Sequence, residues 1–348
     1  MPPFSRRSFL HHAPLLAAPP GPPAPAGPLR IGCLNVDAYS HFGIWAPLFS
    51  LTGMRITHCW DIEPGKAGAF AKTYGATAVR NFDDMAGKVD AVISGGYYNY
   101  PWNQLLHQPY LEAGLPNLIN RPFANSLAKA KRIIDLARRH HAPILVPSAH
   151  EHNEAIARAR AWTPGKKILC YTATNSFDDY ATHGVHGVYL VCRAVAEAGH
   201  PVVSVAYQAK NWHSPPGVLT FEHANFQGTL HQVAGSWGTI QIHTPEEYGG
   251  RPFLIQPCTG YPYNKTEVWA PTLWAFEHLA RQGEMPQSYD QILHKTQVFL
   301  AGFRSILEHD GRPVRIDQVP EDWECPVDLP NHPDDQTATL FRKKFGKA

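Results

Sequence analysis

Arg121, set between Asn120 and Pro122, is a permanent cation whose planar fork matches a carboxylate and which makes a poor acid or base. His183 and His186, separated by Gly184 and Val185, titrate near neutral pH and can give or take a proton. Asp178 and Asp179 precede them, and Asp179 stands one turn before His183 if the segment is helical, a spacing that can pair the two. The run Gly95-Gly96-Tyr97-Tyr98-Asn99-Tyr100-Pro101-Trp102 offers rings that stack on sugars and phenols that hydrogen-bond, so Tyr97, Tyr98, Tyr100 and Trp102 are candidate substrate contacts. In Ser148-Ala149-His150-Glu151-His152 the histidines, His150 above all, can face a cleft, but His-x-His with no visible third ligand assigns no metal. Tyr261, Tyr263, Asn264 and Lys265 form a polar-aromatic loop; Tyr263 or Lys265 can carry the acid–base work that Arg121 cannot, with Tyr261 as a further substrate contact.

The elements that must position these groups alternate from Leu29 onward. Apolar runs at Ile31–Val36, Arg55–Trp60, Val89–Ile93, Leu118–Ile119 and Ile144–Val146 predict buried strands. Between them lie helices: one opened by Pro64 and closed by Gly75, one over Trp102–Ala113 closed by Gly114, and one capped by Ser126 with Leu127, Ala130, Ile133, Ile134 and Ala137 on one face. Repeated β-α-β units give a parallel sheet with ligands at the carboxyl ends of its strands, where most of the residues above begin. After about residue 160 the rhythm changes to a helix over Val185–Ala198 and strands at Val202–Ala209, Val218–His223, Thr229–Val233 and Thr239–His243, which predicts an antiparallel sheet. Trp212-His213, Glu222-His223, His231 and His243 fall on those strand-like segments, and helices return at Val268–Arg281 and Tyr289–Glu308. The fold class is an α/β Rossmann-type N-terminal domain followed by an α+β domain with an open, mainly antiparallel sheet. The predicted divisions are 1–28 as signal and spacer, 29–155 as the Rossmann-like domain, 156–325 as the substrate domain, and 326–348 as a Pro/Asp-rich tail that wraps the surface.

A length of 348 residues suits two domains, and 44% hydrophobic with 17% charged residues suits a packed core. A net charge of +2 with no long basic run gives nothing that argues for nucleic acid as the main partner, and none is expected. The 20 histidines make the true charge pH-dependent. Cysteines at 33, 59, 170, 192, 258 and 325 show no metal spacing and read as small buried thiols, Cys33, Cys59 and Cys170 lying in apolar strand-like runs. Ser5-Arg6-Arg7-Ser8-Phe9-Leu10, a short apolar stretch and the Ala24-Pro25-Ala26 site resemble a twin-arginine export signal, which predicts a periplasmic or secreted protein. That route moves folded proteins and is often used where a cofactor must be loaded first. No run of 18 apolar residues exists, so no membrane span is predicted.

Four segments resemble the glucose–fructose oxidoreductase/inositol dehydrogenase (Gfo/Idh/MocA) family over residues 29–325. They are Trp60-Asp61-Ile62-Glu63-Pro64; Pro109–Pro116 leading into Asn120-Arg121-Pro122-Phe123-Ala124; His183-Gly184-Val185-His186-Gly187; and Gly311-Arg312-Pro313-Val314. The resemblance implies a bound nicotinamide cofactor, NAD or NADP, with Gly32, Asn35, Ser40, His41, Asp61, Gly95 and Asn120 around it. Asp61 then sits at the ribose and favours NAD, since a carboxylate repels a 2′-phosphate. It also implies that His186 is the catalytic histidine, with His183 beside it, and that Arg121 occupies the family's active-site lysine position.

Three departures bear on chemistry. The glycine-rich turn survives only as Gly32, with Asp37 placing a negative charge where phosphates should sit. The lysine of the family's Glu-Lys-Pro is Arg121, and the aspartate expected four residues before His186 is Thr182. The first expectation is therefore an exported NAD(P)-dependent oxidoreductase on a sugar or sugar derivative, its cofactor tightly held, and a homo-oligomer through the C-terminal sheet. The alternatives are a cofactor-free polysaccharide lyase, in which Arg121 neutralises a uronate and His or Tyr residues move the proton, and a sugar-binding protein without catalysis.

Overall fold

β1 (Leu29–Leu34), β2 (Met54–Trp60), β3 (Thr77–Ala78), β4 (Ala91–Ser94), β5 (Asn117–Leu118) and β6 (Ile144–Leu145) form one sheet in the order β3-β2-β1-β4-β5-β6, every pair parallel. This is the doubly wound order, which reverses direction at β1/β4 and opens a crevice beyond the carboxyl ends of those strands. The computed structural model describes residues 27–37, 40–152, 154–175, 179–214, 216–234, 238–245, 253–255, 265–326 and 335–346. The export motif, Asp178, Tyr261, Tyr263 and Asn264 lie outside the described residues, as does the side chain of Lys265.

The helices of this unit form for the reasons the sequence offers. α1 (Phe42–Leu48) follows β1. α2 (Pro64–Tyr74) has Pro64 in its first turn and ends on Gly75 at φ +67°, a left-handed conformation that glycine adopts without strain. α3 (Asn103–Glu112) is followed by Gly114 at φ +70°. α4 (Leu127–Arg139) is capped by the Ser126 hydroxyl, which accepts from the Lys129 amide at 3.3 Å, and buries Leu127, Ala130, Ile133, Ile134 and Ala137.

The chain falls into two units. Among the described residues the first holds 27–147, 269–289 and 326–346, and the second holds 148–268 and 290–325. The first unit thus ends at Pro147 instead of 155 and regains most of α7 (Lys265–Gln282). Hydrogen bonds explain the return: the Gly53 amide donates to Glu277, Arg281 donates to the Gly53 carbonyl, and the Trp274 indole donates to the Leu51 carbonyl.

The tail differs from expectation more sharply. Residues 335–345 form α9 (Asp335–Phe345), which buries Ala338 and Phe341 in one cluster with Leu34, Trp60, Met85 and Trp102 instead of wrapping the surface. Phe341 lies 5.2 Å from the Trp102 ring and 6.2 Å from Trp60. Phe341→Ala is expected to cost about 3–5 kcal/mol, as truncation of a buried aromatic does, read as a lower midpoint in urea unfolding.

The second unit is built on a mixed sheet of β7 (Cys170–Asn175), β8 (Ser204–Ala209), β9 (Gly217–Glu222), β10 (Gln227–Gln232), β11 (Thr239–His243), β12 (Phe253–Ile255) and β13 (Val314–Arg315). Their order is β12-β11-β7-β10-β9-β8-β13, antiparallel throughout except between β7 and β10. One face buries Tyr171, Ala173, Leu219, Phe221, Leu230, Ile240 and Ile242. The other carries Cys170, Thr172, Thr174, Thr220, Thr229, His231, Gln241 and His243. Cys170 is therefore exposed, not a buried thiol: its position in the alternation puts it on the open face. α5 (Glu154–Trp162), α6 (Val185–Ala194) and α8 (Tyr289–Glu308) complete this unit.

Candidate functional site

In the first unit, the crevice at the ends of β1, β2 and β4 is lined by Asn35, Asp37, Asp61, Gly96, Tyr97, Tyr98 and Thr337. Asn35 takes φ +56°, a left-handed conformation that asparagine tolerates better than most residues, and so preserves the turn a glycine would make. Its amide is buried, and neither Oδ1 nor Nδ2 has a hydrogen-bond partner among the described residues. A buried amide of this kind calls for a ligand or water.

Asp61 directly follows β2, one carboxylate oxygen accepting the Val36 amide and the other the Glu63 amide, each at 2.9 Å. Each oxygen keeps a further lone pair for a hydroxyl donor. Burial, with the neighbouring Asp37 charge adding to it, pushes the Asp61 carboxyl up to about 7. Asp37 shares the Lys66 ammonium, 3.3 Å away, with Glu63, which lies nearer at 2.5 Å.

These residues fit a dinucleotide. Asp61 is placed for ribose hydroxyls, the Asn35 amide has no partner among the described residues, and Lys66, shared with Glu63, offsets part of the charge that Asp37 would turn on a pyrophosphate. Hydroxyls donating to Asp61 favour its ionised form, so binding of NAD is expected to strengthen as pH rises toward and through 7 and to weaken by up to about tenfold per unit below it. Calorimetric titration between pH 5.5 and 8.5 reads this; a flat profile removes Asp61 from the ribose.

Beside the crevice, Arg121 Nη2 donates to His41 Nε2 at 3.1 Å, and the guanidinium lies 4.7 Å above the Tyr97 ring. Because arginine can only donate, Nε2 accepts, and the ring proton of neutral His41 sits on Nδ1, donating to Asn120 Oδ1 at 3.0 Å. Asn120 is consistent with this, since its Nδ2 donates to the Gly95 and Gly96 carbonyls. His41 is packed among Trp45, Tyr97 and Trp269. The guanidinium is almost wholly buried, a cation of fixed direction that cannot shuttle a proton.

In the second unit, His186 is the second residue of α6. Gly184 and Gly187 bracket it and let the chain seat closely on the sheet: a Cβ on Gly187 would fall 2.7 Å from Leu230 Cδ2, and one on Gly184 would fall 2.5 Å from Gln232 Nε2. His186 Nδ1 lies 2.7 Å from the Ser148 hydroxyl oxygen. The rings of His150 and His183 are 5.5 and 6.4 Å from that of His186. Asp179 caps the turn of residues 180–184 by accepting the Thr182 amide at 2.7 Å, and it pairs with His183 Nδ1 at 3.6 Å. Burial opposes ionisation of Asp179, but hydrogen bonds from His183 and Thr182 outweigh it and hold the carboxyl below its usual range.

Beneath lies a buried ionic network. Glu151 bonds Lys295 at 2.9 Å, both fully buried, while Glu197 pairs with Arg193 and, at 3.6 Å, with Arg160. Burial drives Glu151 and Lys295 toward their neutral forms and their mutual attraction opposes it. Burial together with Arg193 and Lys295 pushes His152 well below the ordinary histidine range.

Several expected site residues do other work. Gly32 lies inside β1, where a Cβ would meet Met85 Sδ at 3.1 Å, so it serves packing and not a phosphate. Gly95 is needed for close approach, its Cβ position falling 2.4 Å from Phe42. The Ser40 hydroxyl donates to the Asp37 carbonyl and accepts the Phe42 amide, a local cap. Tyr100 and Trp102 are core residues instead of substrate contacts, donating to the Pro326 and Gly346 carbonyls. Tyr97, Tyr98, Asn35 and Asp61 do meet at the crevice. Lys66, Lys295 and Thr337 escaped sequence reasoning; for Lys295, an isolated lysine on the apolar face of α8 was the available signal. Among the described residues no three His, Cys, Asp or Glu side chains gather to hold a metal, and no helix is long and apolar enough to cross a membrane.

Residues 31–148 match the profile of an oxidoreductase family with an NAD-binding Rossmann fold. No curated protein matches the chain. Among solved structures, a probable dehydrogenase from Thermotoga maritima superposes with a TM-score of 0.68 at 14% identity, over 84% of this chain and 100% of that one. A myo-inositol dehydrogenase from Lactobacillus casei, in complex with NAD(H) and myo-inositol, gives 0.67 at 14% identity, over 82% and 96%. An oxidoreductase from Agrobacterium radiobacter, in complex with NAD+, L-tartaric acid and magnesium, gives 0.65 at 13%, over 83% and 99%. At such identities the likeness is one of fold.

Proposed function

We propose that this chain, a member of the Gfo/Idh/MocA oxidoreductase family, is an NAD-dependent oxidoreductase acting on a sugar, polyol or sugar acid. The observation that carries the reading is the crevice within the matched segment, where Asp61 and the unsatisfied Asn35 amide meet at the ends of β1 and β2. The inositol and tartrate complexes of the fold relatives support the substrate class.

The nicotinamide, when bound, supplies hydride exchange with a substrate carbon. The protein supplies the rest. Asp61 takes the ribose hydroxyls and disfavours a 2′-phosphate. Arg121, fixed by His41 and Tyr97, orients a substrate oxygen or carboxylate by charge. His186 holds the proton that the reacting oxygen gains or loses. The paired Arg6 and Arg7 ahead of an apolar stretch support export of the folded protein.

The experiment is release and rebinding. Purified folded protein is denatured and the supernatant examined by mass and absorbance, and the protein is then titrated with NAD and NADP. Stoichiometric NAD, or saturable binding at least about tenfold tighter for NAD than for NADP, is the expected result. Absence of both release and saturable binding, for either nucleotide, would sink the reading.

A further inference from the structure

The family's orienting aspartate is missing before His186, yet the imidazole is not left unoriented. Its Nδ1 lies 2.7 Å from the Ser148 hydroxyl oxygen, and both residues are almost wholly buried. The same oxygen accepts the His150 amide at 3.3 Å. The Ser148 oxygen could accept a second N–H, but among the described residues its one proton has no acceptor other than Nδ1 of His186, so the arrangement that satisfies the buried hydroxyl has it donating there.

Ser148 is itself held in place. Its amide donates to Glu151 Oε2 at 2.5 Å, and the other Glu151 oxygen accepts from Lys295 at 2.9 Å. The Lys295 ammonium in turn sits 4.3 Å from the ring centre of Tyr189, which lies on α6 with His186. A closed loop of contacts therefore runs from the histidine's helix through lysine, glutamate and serine back to the histidine.

We propose that Ser148 is the positioning residue of His186, replacing the orienting carboxylate and holding the imidazole as the neutral Nε2–H tautomer, with the Glu151–Lys295 pair fixing Ser148. This rests on the reading of His186 as the proton-handling residue of an oxidoreductase. The chemical consequence differs from that of a carboxylate. A carboxylate accepts the Nδ1 proton and favours imidazolium; a hydroxyl that donates to Nδ1 favours the neutral ring and places its proton on Nε2. In that form the ring carries its proton on Nε2, the form that can donate to a carbonyl oxygen being reduced.

The test is a two-bond proton–nitrogen correlation spectrum of the full chain labelled with 15N-histidine, with the His186 signals assigned by their loss in His186→Asn. The expected spectrum at pH 7 shows His186 Nε2 protonated and Nδ1 as an acceptor. Ser148→Ala mixes the tautomers, and Ser148→Thr, which keeps the hydroxyl, restores the first. A protonated Nδ1 in the unsubstituted protein, or an unchanged tautomer in Ser148→Ala, overturns the proposal; the unsubstituted protein and Ser148→Thr keep it decidable if Ser148→Ala does not fold. In NADH-linked turnover Ser148→Ala is expected to lower kcat by about 10–100-fold with little change in KM. If His186→Asn leaves turnover unchanged, the functional reading of His186 fails, whatever the tautomer.

Discussion

Lys295→Met lowers the unfolding free energy by about 3–5 kcal/mol at pH 8, the cost of leaving one member of a buried ion pair without the other. Lys295 and Glu151 are both fully buried and bonded at 2.9 Å. Removing the ammonium strands a carboxylate that also accepts the Ser148 amide. Burial already presses Glu151 upward, and the Lys295 charge is the chief influence holding it down, which the variant removes. A carboxyl raised above its unfolded value weakens the fold as pH climbs from the unfolded value toward the folded one. The deficit is therefore smallest near pH 4 and grows toward neutrality. Adding Glu151→Gln to Lys295→Met removes the stranded charge and is expected to recover most of the loss at pH 8. Urea unfolding at pH 4.5 and 8 reads the unsubstituted protein, both single variants and the double variant. Equal deficits at both pH values would show that the loss is packing against Tyr189, not charge.

Periodicity and punctuation made much of the first unit legible. Pro64 and Gly75 mark the ends of α2, and Ser126 caps α4, because such signals depend on a few adjacent residues. β7 was legible only at its start, where Cys170 ends an apolar strand-like run; beyond Tyr171 the segment is small and polar, with one face open and the other buried by only Tyr171, Ala173 and Asn175. α9 escaped because its few apolar residues are Ala338, Leu340, Phe341 and Phe345, and the partners Trp60 and Trp102 of Phe341 are remote in sequence.

The site divides in the same way. Asp61 was legible through the Trp60-to-Pro64 segment that carries the family resemblance, and the structure places it just past β2 at the crevice. Tyr100 and Trp102 share the aromatic run of Tyr97 and Tyr98, and residue type does not say which rings face the crevice. That is settled by the short helical turn at residues 100–102, which carries Tyr100 and Trp102 into the core. The replacement of a carboxylate by Ser148 is invisible from spacing, since serine and histidine are 38 positions apart.

Arg121→Ala is expected to reduce kcat/KM by about 100-fold or more, close to 3 kcal/mol of lost transition-state binding, the scale of a charge-assisted hydrogen bond. The guanidinium is positioned twice over, by the bond to His41 Nε2 and by the Tyr97 ring beneath it. Lysine cannot reproduce both contacts, since a point ammonium has no face to stack and no planar fork. Arg121→Lys should therefore fall between the two proteins, although lysine stands at this position in the motif that the segment resembles. It should also add a basic limb to the pH profile of turnover, because lysine ionises within reach of experiment and arginine does not. Nucleotide affinity reports separately on Asp61 and should stay within about threefold in Arg121→Lys, as expected for a residue outside the crevice lining. Turnover and pH profile unchanged in both variants would make Arg121 a structural cation for His41, and the loss would then be found in unfolding free energy alone.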